Sequence, residues 1–112
     1  MKKIKVFRQN WKVDFATGNE LANMMRDGSP HRDVSYNGVC DANSKEIYIY
    51  DGLDYESRKK TLTHELMHAV IYEIGTDFEK ADEEIACQLY AFVHPEITRI
   101  LKDLDKWLRD SN

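Results

Sequence analysis

The segment from 55 to 74 limits the fold most strongly, because it is a long stretch with one clear helical pattern. Asp54 is a good N-cap residue before it, and Gly75 is a natural residue to end a helix. Apolar side chains recur at helical spacing and cover a wide arc, formed by Leu62, Leu66, Met67, Ala69, Val70, Ile71 and Ile74. A helix with such a face must bury it against another layer of structure.

The same helix carries the motif His64-Glu65-x-x-His68 at one edge of the apolar arc. Positions i and i+4 lie on one face, so both imidazoles can reach one metal ion, with Zn–N bonds of about 2.0–2.1 Å. Glu65 is rotated by about 100° from His64, which suits a base that takes a proton from metal-bound water. We therefore predict a Zn²⁺ site with His64 and His68 as ligands and Glu65 as the catalytic base.

A catalytic zinc ion usually has three protein ligands, so the motif needs a further one. A short turn at 75–76 would fold a second helix back beside the first and bring its opening turns near His68. The acidic residues there are Glu79, Asp82, Glu83 and Glu84. We favour Glu83, because it shares a face with Ala86 at the edge of the apolar stripe, and Glu84 comes next.

Three other residues compete for the third ligand position. Cys40 lies in a predicted hairpin that would border the cleft, although a small buried thiol is the more common role for such a residue. His31 lies in a loop, and no pattern places it near the motif. His94 is about 16 Å from Glu83 along a helix axis, so these two cannot share one metal ion.

The first half of the chain has the alternation and the turn residues of a β-sheet. In the strand at 46–50, Ile47 and Ile49 alternate with Tyr48 and Tyr50, so we expect the isoleucines to face inward. The predicted elements are strands at 3–8 and 11–15, a short helix at 20–26 with Asn19 as N-cap, and a hairpin of strands at 34–40 and 46–50.

The second half is helical. After the motif helix we predict a helix from about 78 or 80 to 93, interrupted at His94-Pro95, and a last helix at 96–109. Strands early and helices late indicate the α+β class, with a small, mostly antiparallel sheet packed against the motif helix and further C-terminal helices. We expect a single domain over 1–112, with a zinc-site core at 33–94 and a C-terminal amphipathic helix at 95–112.

The charge and composition of the chain limit the kinds of partner that it can have. The formal net charge of −4 argues against a general nucleic-acid binder, and the basic residues near the N-terminus fit a solvated strand face (Lys2, Lys3, Lys5, Arg8 and Lys12). No apolar run is long enough for a membrane span, and no signal peptide is evident. Two cysteines are too few for a disulfide framework, so we expect a cytoplasmic protein with free thiols.

The run from Thr61 to Val70, followed by Glu83-x-x-Ala86, resembles the ImmA/IrrE family of zinc metallopeptidases. It is similar above all to small phage and prophage versions, which also place an Ile-x-Ile strand before the zinc helix. The resemblance covers roughly residues 34–93. It implies a minimal zincin-like domain with His64, His68 and Glu83 as zinc ligands and Glu65 as base. The sequence departs from the family pattern at Met67 and in the residues that follow Ala86.

The leading hypothesis is a zinc metallopeptidase that hydrolyses peptide bonds in a polypeptide substrate or a host regulatory protein. The strand at 47–50 is expected to receive an extended peptide by edge pairing, and Tyr72 and Tyr90 are candidates to hold the oxyanion. The alternative is a zinc-binding, non-proteolytic interaction or inhibitor module of phage type that acts on a host protein. A purely structural fold without metal is a third possibility, and the oligomeric state stays open.

Overall fold

The fold is a five-stranded sheet with helices on both of its faces. A computed structural model describes residues 1–27, 32–34, 37–75 and 83–110. The α+β class predicted from the sequence is confirmed. In chain order the elements are β1 (Lys2–Val6), β2 (Gln9–Ala16), α1 (Gly18–Asp27), β3 (Arg32–Val34), β4 (Gly38–Asp41), β5 (Glu46–Tyr50), α2 (Tyr55–Ile74) and α3 (Glu83–Asp110).

The strands lie in the order β1-β2-β5-β4-β3, and all neighbours are antiparallel except β2 and β5. The β1–β2 hairpin turns at Phe7 and Arg8, whose φ angles of 46° and 72° match the positive values that a tight hairpin turn requires. The parallel pairing of β2 with β5 was not predicted. The two strands run parallel because the chain crosses over through α1, β3 and β4 before β5 begins. Since β5 pairs with β2 on one side and β4 on the other, it lies in the middle of the sheet.

Each face of the sheet packs against different helices. Ile47 and Ile49 are fully buried on the face covered by α2 and α3, which confirms the predicted inward direction of these side chains. Tyr48 and Tyr50 lie on the opposite face, where they pack with Leu21 of α1. The early helix α1 therefore forms a third layer, which the sequence did not indicate.

Both ends of α2 are capped as predicted. Asp54 accepts a hydrogen bond from the backbone N–H of Ser57 at 2.8 Å. Gly75 has a φ of 73°, and its N–H donates to the carbonyls of Ile71 and Tyr72. These caps fix the bounds of the motif helix at Tyr55 and Ile74.

The helix α1 begins earlier than predicted. Thr17 and Glu20 form a reciprocal capping box, in which each accepts a hydrogen bond from the other's backbone N–H, at 3.2 and 3.1 Å. The prediction of Asn19 as N-cap was therefore wrong, because Asn19 already lies inside the helix.

The predicted break at His94-Pro95 was also wrong, since α3 runs through Pro95 as one helix. A proline inside a helix removes one backbone hydrogen bond and crowds the preceding turn. Burial offsets this cost, because one apolar stripe continues through the proline, formed by Val93, Ile97, Ile100, Leu104 and Leu108. In the described part of the chain, no helix combines the length and the apolar character that a membrane span requires.

Candidate metal centre

His64 and His68 lie side by side on the outward edge of α2. Their ring centroids are 5.0 Å apart and their ring planes cross at 76°. Two imidazoles that share a tetrahedral zinc ion with Zn–N bonds of about 2.0–2.1 Å have centroids about 5 Å apart. His64 is exposed and His68 is half-buried, so the pair is open to solvent on one side. The two histidines therefore fit zinc in spacing, chemistry and access.

Glu65 points the other way, into the interior between α2 and β4. Its side chain has no exposed surface. A Cβ atom built on Gly38 of β4 would lie 3.2 Å from Cγ of Glu65 and 2.9 Å from Cγ2 of Thr61. Such distances are shorter than ordinary van der Waals contact, so only a glycine lets the strand lie this close to the helix. The sheet thus holds Glu65 in a dry, closely packed position.

Anchors at both ends of α2 fix the orientation of the motif. Arg58 is buried and donates to the carbonyl of Leu108 at 2.9 Å, which joins the first turn of α2 to the end of α3. In the last turn, Glu73 accepts from Trp11 Nε1 at 3.1 Å and pairs with Lys45 Nζ at 3.0 Å. A helix held at both ends keeps its side chains in place for a ligand at little entropic cost.

Among the described residues, Glu83 and Glu84 are not grouped with the two histidines. Glu83 and Glu84 lie in the first turn of α3, and both are exposed. Within residues 1–27, 32–34, 37–75 and 83–110, no three His, Cys, Asp or Glu side chains are grouped closely enough to hold one metal ion. The candidates His31, Glu79 and Asp82 lie outside the described residues.

The two other described candidates for the third ligand, Cys40 and His94, lie in different surroundings. Cys40 of β4 is buried in the main core, which confirms the expectation of a small buried side chain at this position. His94 is exposed on α3, and its ring lies 5.2 Å from that of Tyr90.

Both oxyanion candidates are exposed. Tyr72 lies one turn after His68 on α2, with its ring edge-on to Trp11 at 6.4 Å, whereas Tyr90 is on α3.

The expected edge pairing of a peptide with the strand at 47–50 was wrong. β5 lies between β2 and β4, so both of its edges are already hydrogen-bonded to neighbouring strands. An incoming strand needs a row of unpaired backbone groups, which only an edge strand offers.

Two residues next to Glu65 were missed by sequence reasoning, Gly38 and Thr61. Asn37-Gly38 has the composition of a turn, so the sequence alone gives no sign that this glycine faces a helix. Thr61 is one helical turn before Glu65, and this spacing was the available signal that both side chains meet the same strand.

Comparisons with protein-family models, with curated proteins and with solved structures give no match to this chain.

Proposed function

We propose that this chain is a zinc-dependent peptidase in which His64 and His68 hold the metal ion and Glu65 is the general base. Glu83 remains the proposed third ligand, with Glu84 next. Kinship with the ImmA/IrrE metallopeptidases and a cytoplasmic location are parts of the same proposal. Its substrate would be a polypeptide or a regulatory protein of the host.

The observation that carries this proposal is the pair His64 and His68, which lies on one side of α2 at zinc-binding spacing, together with the neighbouring Glu65, a fully buried glutamate. A carboxylate loses favourable hydration when it is buried, so it reduces stability unless the surroundings compensate for it. An apolar residue at this position would serve the core better. Titratable groups retained in such places are concentrated at functional sites.

The proposed chemistry divides between the metal and the protein. Bound zinc would supply Lewis acidity and lower the pKa of its water toward about 7. Glu65 accepts the proton that the attacking water loses and passes it to the leaving amine. Tyr72, an exposed residue one turn beyond His68, is the candidate to donate a hydrogen bond to the developing oxyanion.

The test compares Glu65→Gln with Glu73→Gln, a matched change in the same helix. Glu65→Gln replaces the buried carboxyl group with an amide of the same shape, so we expect unchanged zinc content, a retained fold, and loss of cleavage of a fluorescent casein substrate. Glu73→Gln weakens the contacts to Trp11 and Lys45, so we expect lower stability with cleavage retained. Cleavage that survives in Glu65→Gln would contradict the proposed mechanism.

Metal analysis of the purified protein separates the zinc hypothesis from a purely structural fold. Protein prepared without chelators should carry zinc, and His64→Ala should lose it while its circular dichroism spectrum stays the same. His94→Ala, an exposed histidine on α3, is the control and should keep its zinc. A wild-type protein that takes up no zinc would exclude both metal-dependent functions.

The second candidate function is a zinc-binding interaction module without peptidase activity. It is favoured by the exposed aromatic side chains of Tyr90 and Phe92, which are 61% and 59% accessible on α3. Exposed aromatic groups of this kind are typical of protein contact surfaces. Zinc content that depends on His64, together with no cleavage of any protein offered, would favour this function over the peptidase.

A further inference from the structure

The outer edge of β1 faces a cavity that separates it from α3. Lys5 shows which backbone groups point outward, because its carbonyl accepts a hydrogen bond from Nη2 of Arg99 on α3 at 2.8 Å. In an antiparallel strand, alternate residues direct their N–H and C=O groups to the same side. The N–H of Lys5 and both backbone groups of Lys3 therefore point away from β2, toward this cavity.

The cavity has a volume of about 520 Å³, and its wall has an apolar part and a polar part. Its apolar part is formed by Ile4, Ile100 and Leu104, which belong to the main core. Its polar part is mainly cationic, with Lys2, Lys3, Lys5 and Arg99 against the single carboxylate of Asp103. A second cavity of about 550 Å³ shares Lys5 and Arg99 with it and adds Arg8, Phe7 and a second carboxylate, Glu96. We call the two together the β1 groove.

Among the described residues, acidic groups pair with only part of the positive charge in the β1 groove. Arg99 forms salt bridges with Glu96 at 2.9 Å and Asp103 at 3.2 Å. Among the described residues, no salt bridge involves Lys2, Lys3, Lys5 or Arg8. The chain as a whole has a formal net charge of −4, so the groove is a local exception that attracts negatively charged partners.

We propose that the β1 groove binds an extended acidic segment of a partner protein, which pairs with β1 as an additional strand. The outward N–H and C=O groups supply main-chain hydrogen bonds, and the lysines and arginines select carboxylate side chains. A nucleic acid would satisfy the cations but would not pair with the backbone row, so the observations favour a polypeptide. None of the groove residues belongs to α2, so this proposal does not depend on the zinc site.

Binding can be measured with a fluorescently labelled peptide that alternates glutamate and valine. We expect its fluorescence anisotropy to rise on addition of the protein, and its affinity to fall with added salt. The same peptide with lysine in place of glutamate should not bind. Two further peptides carry N-methyl groups on one or the other alternate set of backbone nitrogens. Because only one set faces β1, one of them should bind about tenfold more weakly and the other should be unaffected.

Two substitutions at Lys3 separate the charge from the backbone donor. Lys3→Ala removes only the side-chain charge, whereas Lys3→Pro also removes an N–H that points outward and that β2 does not use. We expect a loss of a few-fold for Lys3→Ala and of at least about tenfold for Lys3→Pro, with similar melting temperatures. Equal binding by the two variants, or equal binding by the two N-methylated peptides, would overturn strand pairing. Displacement of the peptide by a single-stranded oligonucleotide that binds more tightly would instead identify the groove as a polyanion site.

Discussion

At the scale of single residues, Gly38 determines how closely the sheet approaches the motif helix. A Cβ atom there would lie 2.9 Å from Cγ2 of Thr61, 3.1 Å from the carbonyl oxygen of Tyr48 and 3.2 Å from Cγ of Glu65. The carbonyl oxygen belongs to the backbone of β5 and cannot move without disturbing the sheet. The absence of a side chain at Gly38 is therefore a condition for the buried position of Glu65.

We expect Gly38→Ala to lower the free energy of unfolding by about 1–3 kcal/mol, the usual effect of overpacking a filled interior. The measurement is urea denaturation. Gly18→Ala is the control, because its new Cβ would meet only Cε1 of Tyr50 at 3.8 Å, an ordinary contact, and stability should change by less than about 1 kcal/mol. Adding Thr61→Ala to Gly38→Ala should restore part of the loss, and no restoration would contradict this packing.

At this scale, the sequence predicts the position of a side chain well when its interactions lie within its own helix. His64, His68 and the caps Asp54 and Gly75 follow from local spacing and local hydrogen bonds. It fails for Gly38, since the contact that matters joins residues far apart in the chain. The proposed third zinc ligand has the same difficulty, because its position depends on how one helix returns beside another.

At the scale of elements, α3 shows that burial can hold a helix together through a proline. Val93 and Ile97 are buried on either side of Pro95, which itself is exposed. The missing hydrogen bond is therefore on the solvent side, where water can satisfy the freed carbonyl. The sequence rule for proline considers the local backbone alone and does not include this packing.

Pro95→Ala tests whether the helix is continuous. In an unbroken helix, alanine restores a hydrogen bond and removes a steric conflict, so the free energy of unfolding should rise by about 1–3 kcal/mol. If the chain instead began a new helix here, proline would suit its first turn, and alanine would bring no gain. Thr98→Ala, an exposed position one turn further on, controls for helix propensity and should add no more than about 0.7 kcal/mol. Urea denaturation provides the comparison.

The helices and strands themselves were largely predictable, because their apolar periodicity and caps are local. The order of the strands in the sheet was not predictable from the sequence. Nothing in the local pattern of Glu46–Tyr50 distinguishes a central strand from an edge strand of a two-faced sheet, so the parallel pairing with β2 escaped prediction. The position of α1 on the second face depends in the same way on contacts between Leu21 and the distant Val39.

At the scale of the whole molecule, α3 is joined to the first hairpin by a charged contact. Glu96 accepts from the backbone N–H of Phe7 at 2.7 Å and from Arg99 at 2.9 Å. Burial alone would raise the pKa of Glu96, but the hydrogen bonds from Arg99 and Phe7 outweigh it and hold the pKa below its ordinary value of 4.5. The ionised carboxylate is therefore more favourable in the folded protein than in the unfolded chain.

The lowered pKa sets the sign of the pH dependence. Glu96 contributes stability above its ordinary pKa, and this contribution is lost as the pH falls through the lower folded value. We expect Glu96→Gln to cost about 1–2 kcal/mol at neutral pH and much less in acid, as measured by urea denaturation at several pH values. Asp103→Asn is the control, because Asp103 pairs with the same arginine but is 63% exposed, and it should cost less than about 1 kcal/mol. A cost for Glu96→Gln that does not change with pH would contradict this account.

The contacts between β1 and α3 also impose an order on the biosynthesis of the protein. The bond from Phe7 to Glu96 spans 89 residues, and the bond from Arg99 to Lys5 spans 94. The first hairpin leaves the ribosome long before α3 exists, so the backbone groups of Lys5 and Phe7 that bond to α3 lack these partners while the remaining chain is translated. Contacts of such long range also slow folding, because the ends must meet before either is stabilised. The native arrangement can thus be completed only after residues 96–99 of α3 have been translated.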